Sequence, residues 1–180
     1  AERPPRPHGP LRVALLGDAR AEKNSHLVGG LADALADDPF LEARVRLALQ
    51  TNPGFPVDSR RPADRAVAAA LEAARARATV VEDLGGPLDD DRLDDEIARA
   101  DALLLPYDQA RYRHRLSALL LAARASGTAA IVTGGGWMAR QFLEAHRAHA
   151  AALEAGVPTL GEESHAPGTL GRGEPARLAV

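Results

Sequence analysis

A chain of 180 residues suits one domain with a sizeable core, and a formal net charge of −3 with scattered basic residues argues against a nucleic-acid partner. No apolar run approaches bilayer-spanning length and no signal-peptide pattern is present, so no transmembrane segment is expected. Cysteine is absent, which rules out disulfides and thiol chemistry and fits a reducing, cytoplasmic setting.

Residues 1–10 hold four prolines and no apolar period, and read as a linker. Leu11–Leu16 is a short apolar run ending at Gly17, a first strand. Leu27, Leu31, Ala34 and Leu35 share one helix face, and Asp37-Asp38-Pro39 stops that helix. Alternating Val45, Leu47 and Leu49 predict a second strand, half-buried or near an edge. A Pro- and Gly-rich loop over Thr51–Pro62 leads to a helix marked by Val67, Leu71, Ala74 and Ala78. A short strand is expected at Thr79–Val81, a turn at Gly85-Gly86-Pro87 and an acid-started helix over Asp89–Ala98. Ala102–Leu105 reads as strand four, and Leu116, Leu119, Leu120 and Ala123 as a packed helix face. Ala129–Val132 gives strand five, followed by a long helix from Trp137 to about Ala155. A last short strand at Gly168–Leu170 precedes a fresh helix signal at Glu174-Pro175-Ala176. Strands alternating with helices predict a parallel, doubly wound, Rossmann-like α/β sheet. The first residue is not Met and the last falls inside a helix signal, so the expectation is a piece of a longer protein: residues 11–180 as one domain, truncated at its C-terminal helix.

Three clusters carry possible chemistry. Gly17 to Asn24 follows strand one and leads into a helix, where free backbone amides and the helix dipole suit phosphate. Arg20 and Lys23 add charge there, and Lys23 is the only lysine in the chain. The stretch is neither a G-x-G-x-x-G nor a Walker A loop. Tyr107, Arg111, Tyr112, Arg113, His114 and Arg115 follow strand four, cations and rings able to hold a phosphate and stack on a flat base. Gly134-Gly135-Gly136 before Trp137 allows close backbone approach at another helix start. The acidic run Asp89–Asp91 with Asp94–Glu96 reads as a helix first turn, and His146 and His149 as a polar face, so no metal is expected. Neither Ser117 nor Ser126 has an evident base partner.

On these residues the chain, from about Leu11 to Val180, resembles the C-terminal, nucleotide-sugar-binding half of a GT-B glycosyltransferase of the retaining group 1 or family 4 type. Gly17 with Glu22-Lys23 resembles the family's glycine-loop-Glu-Lys element. The segment from Leu88 to Tyr107 resembles the run that leads to the donor site. Ser117 to Gly127 resembles the S-G-x-x-x-E-A-x-A-x-G helix, and Gly135-Gly136-Trp137-Met138 the G-T-W-M turn of one branch. Gly168 to Ala176 resembles the late strand and following G-D-P motif. The chain departs from the pattern at Ala122, where the family carries its donor-site glutamate, at His114, the earlier acidic position, and at Ala118, Asp18 and Asn24.

The resemblance implies transfer of a sugar from a nucleotide-activated donor, with an N-terminal GT-B domain as partner and no separate cofactor. It implies donor contacts from Lys23, Arg20 or Arg115, from Ser117 and the backbone around Ala118, and from Tyr107 or Tyr112, and assigns no catalytic side chain. The alternative is a degenerate, non-catalytic domain kept for weak nucleotide binding or protein contact, with Ala122 as its main support. A receiver-type domain would want a lysine after strand five, where Val132-Thr133 offers none.

Overall fold

The computed structural model describes residues 9–140, with positions 144, 147 and 151. Its centre is a five-stranded, all-parallel sheet in the order β3-β2-β1-β4-β5. The strands are β1 (Leu11–Leu15), β2 (Val45–Gln50), β3 (Val81–Gly85), β4 (Ala102–Leu105) and β5 (Ala129–Val132). The helices are α1 (Val28–Asp37), the single turn α2 (Pro39–Glu42), α3 (Pro62–Arg75), α4 (Asp90–Arg99) and α5 (Ala118–Ser126). Right-handed crossovers put α1 and α3 on one face and α4 and α5 on the other, which makes the fold doubly wound and Rossmann-like. No helix among the described residues is long and apolar enough to cross a membrane.

The two faces are filled differently. Leu15, Leu47 and Leu49 meet Val28, Ala32 and Leu35 of α1 and Val67, Leu71 and Ala74 of α3 in one apolar cluster. On α1 the buried positions are 28, 29, 32 and 35, while Leu27 and Ala34, expected on that face, are exposed. The helix starts one residue after Leu27, which turns its core face accordingly. Across the sheet the α4 face is paved with the small residues Ala14 and Ala48, and α4 buries Ile97 and Glu96. Arg12 of β1 bonds there to Glu82 of β3 (Nε–Oε2 2.7 Å) and to Glu96. Burial alone would lower the Arg12 pKa, but the hydrogen bonds it donates to both glutamates, with their charges, outweigh it and hold the guanidinium above its ordinary value.

Two expectations about strands are corrected. β2 is near an edge, directly beside the edge strand β3, but it is not half-covered: Leu47 to Gln50 are all buried. Its alternation arises because its second face offers Ala48 and Gln50 rather than bulky apolar groups. β3 spans Val81–Gly85 instead of Thr79–Val81. Its apolar pattern is interrupted by Glu82 and Asp83, whose carboxylates serve Arg12 and the pair Thr51 and Arg75. The stop at Asp38 is real, and that side chain also caps α2 by accepting from the amides of Phe40 and Leu41. Asp89 caps α4 and puts Asp90 and Asp91 in its first turn, as the acidic run predicts. A helix begins at Trp137, and positions 138–140, 144, 147 and 151 are helical; its other positions, the linker up to His8, the Gly168–Leu170 strand and the last helix signal lie outside the described residues.

Candidate functional site

The chain reverses direction across the sheet between β1 and β4, and the crevice above the carboxyl ends of these two strands is where such sheets bind ligands. It is built by the β1–α1 connection and by residues 106–117 between β4 and α5. The first begins at Gly17, whose φ of 81° favours glycine. Two short 3-10 turns follow, Ala21–Lys23 and Ser25–Leu27, joined at Asn24 in the left-handed conformation (φ 54°).

The expectation of free amides leading directly into a helix is corrected here. The amide of Gly17 donates to Gln50 Oε1 (2.6 Å), that of Ala19 to the Asn52 carbonyl, and that of Arg20 to Ser25 Oγ (3.0 Å). The amides of Lys23, Asn24 and Ser25 close the 3-10 turns. The loop therefore presents its side chains more than its backbone. Lys23 lies across Gly17, so that a Cβ on residue 17 would sit 2.9 Å from Nζ. Among the described residues Nζ has no hydrogen-bond or ion-pair partner. Burial lowers its pKa and the charge of Arg20 adds to this, against the opposing pull of Asp18 and Glu22.

Glu22 is the joint between the two loops. Its carboxylate pairs with Arg115 (3.3 Å) and Arg111 (3.9 Å), and its carbonyl accepts from the amide of Asp108 (3.0 Å). Asn24 Nδ2 donates to the Pro106 carbonyl (2.7 Å). Of the residues expected at the site, Lys23, Tyr107, Tyr112, Arg115, Ser117 and Ala118 are brought to this crevice. Arg20 turns aside: it pairs with Asp18 (2.8 Å) and lies against Gly54, where a Cβ would come within 2.5 Å of Nε. There it lines a separate cavity of about 740 Å³ with Arg61, Arg111 and the acids Glu22, Asp58 and Asp64.

Tyr107 is 4% exposed and packs on Tyr112, with ring centroids 4.3 Å apart. Burial pushes its phenol up to about 12, against the hydrogen bond from Ser117. Tyr112 is only half-buried and has Arg115 over its ring at 5.9 Å, so it is the ring of the pair that a ligand can reach. The Ser117 hydroxyl is buried; it caps α5 by accepting from Leu120 N (3.3 Å) and donates to the Tyr107 hydroxyl (3.5 Å). Ala118 opens α5, and Ala122 lies one turn further on, half-buried and without any polar group to offer.

Sequence reasoning missed the bridging role of Glu22, since its partners lie 93 and 89 residues away and no local spacing signals them. It also missed Gln109, whose amide donates to the Gly134 carbonyl and ties the β4–α5 loop to the turn after β5. Among the described residues no group of acids and histidines could hold a metal ion. No family model and no curated protein matches the chain.

Proposed function

We propose that the crevice between the β1–α1 and β4–α5 loops binds the diphosphate of a nucleotide-activated sugar, and that this domain is the donor-binding half of a GT-B glycosyltransferase. The observation that carries the reading is Lys23: the chain's only lysine, held over Gly17 at the switch point, with no carboxylate on its ammonium among the described residues. A compact, partly desolvated cation is suited to a diphosphate, because its attraction is little screened there. As the bond from the anomeric carbon to the diphosphate breaks, negative charge grows on the leaving oxygen, and Lys23 would stabilise it. Arg115, once released from Glu22, adds a second cation, and the open face of Tyr112 offers a surface for the base. The acceptor and its activation belong to a partner domain, so the 180-residue chain binds donor without turning it over.

A second reading, a degenerate domain with weak or no donor binding, is favoured by Glu22 and Ala122. Glu22 already neutralises Arg115 and Arg111, and Ala122 cannot accept from ribose hydroxyls. Calorimetric titration of the 180-residue chain with UDP, GDP and ADP separates the two. The donor reading expects one of them to bind and Lys23→Ala to weaken it by about tenfold or more, the loss of a hydrogen bond to a charged group. No binding of any nucleotide sinks the donor reading, and sugar transfer by the chain alone sinks the half-enzyme.

A further inference from the structure

We infer that the cleft between the β4–α5 loop and the turn after β5 is a second binding site, for a small anion carrying an aromatic ring. Its main cleft shares no lining residue with the Lys23 crevice, and it does not depend on the donor reading. The cleft has a volume of about 640 Å³, with Arg113, His114, Trp137 and Arg140 on its walls. That size suits a small organic ligand, for which roughly 300–1,000 Å³ is usual. A smaller cleft of about 300 Å³ adjoins it, sharing Arg113, His114 and Trp137 and adding Leu116 and Arg115, the arginine that also pairs with Glu22.

Two properties select the ligand. The first is charge. Among the described residues no carboxylate lines either cleft, although the chain carries more acids than bases, 25 against 22. The cavity beside Arg20, by contrast, balances its arginines with Glu22, Asp58 and Asp64. Among the described residues Arg113 and Arg140 make no ion pair, so both guanidinium groups can pair with an incoming phosphate or carboxylate. The second is apolar surface. Trp137 is 39% exposed and Leu116 60% exposed, beside these cations and within the same pair of clefts. An indole left open next to arginines offers a stacking face for a ring while the guanidinium groups hold its acid. The walls are fixed relative to each other: Gln109 bonds to the Gly134 carbonyl, and Gly135 (φ 79°) turns the chain beneath it, 3.5 Å from Gln109 at the position of a Cβ.

Trp137 is the chain's only tryptophan, so its emission reports this cleft alone. The test titrates the 180-residue chain with phenyl phosphate, following Trp137 fluorescence and the heat of binding. The expected result is saturable binding that shifts or quenches the emission. The Arg113→Gln/Arg140→Gln double variant should bind at least tenfold more weakly at an unchanged thermal midpoint, and cyclohexyl phosphate several-fold more weakly than phenyl phosphate. Lys23→Ala should bind as the parent does, whatever it does to nucleotides. The inference is overturned by the absence of saturable binding, by undiminished affinity in the double variant, by equal affinity for cyclohexyl phosphate, or by loss of binding in Lys23→Ala.

Discussion

At the scale of the residue, Lys23 holds a charge under tension. Its folded pKa lies below 10.5 because burial and Arg20 disfavour the cation. A base with a depressed folded pKa penalises the folded state below that value, and the penalty is relieved as pH rises past the unfolded one. Lys23→Met should therefore raise the melting temperature near neutral pH, with the advantage vanishing above pH 10.5. Thermal denaturation across this range checks it, and an unchanged or lower midpoint at pH 7 would contradict it. A bound diphosphate favours the cation, so nucleotide affinity should fall as pH rises through the depressed pKa towards 10.5. Lys23 was legible because it is alone of its kind and follows a strand-ending glycine. Glu22 was not, since its role exists only once β4 lies beside β1.

At the scale of the element, α4 is seated by charge. The α4 face of the sheet offers Ala14 and Ala48 beside the single leucine Leu103 in their register, and Arg12, with a side chain 12% exposed, reaches Glu96, with a side chain 5% exposed. Removing Arg12 leaves the buried Glu96 with only Arg99 (3.3 Å), so the cost lies towards the lower end of the about 3–5 kcal/mol of a broken buried pair, whereas apolar replacement of both is often tolerated. Denaturant titrations should thus show Arg12→Ala destabilised by about that amount, and Arg12→Met/Glu96→Leu recovering most of it. A double variant as unstable as the single one would disprove this account. Glu82, bonded to Arg12, has a lowered pKa despite partial burial. Its contribution is present above the unfolded value of 4.5 and is lost as pH falls through the depressed folded one. This network also explains why β3 was misplaced: a strand with Glu82 and Asp83 at its centre shows no apolar pattern until the distant Arg12 and Arg75 are known.

At the scale of the whole molecule, stability is concentrated on one side. The α1–α3 face holds the continuous apolar cluster, while among the described residues β5 pairs with β4 alone, with Ala129 and Ile131 exposed. Amides of β1 and β2 should exchange with solvent most slowly, near the global unfolding free energy, and those of β5 and α5 earlier. Hydrogen-exchange mass spectrometry reads this directly, and uniform protection across the sheet would count against it. The alternation of strands and helices made the parallel sheet readable, because crossover helices and buried strands each leave a period in the sequence. The different filling of its two faces was not readable, because it depends on which strands become neighbours.

The solitary lysine gives the crevice a chemical address. Side-chain acylation by an amine-directed reagent has one possible destination in the chain, and a depressed pKa makes that amine nucleophilic at lower pH than an ordinary lysine. With the α-amino group blocked, a dye, a spin label or a crosslinker can thus be delivered to the rim of Gly17 without engineering the protein first.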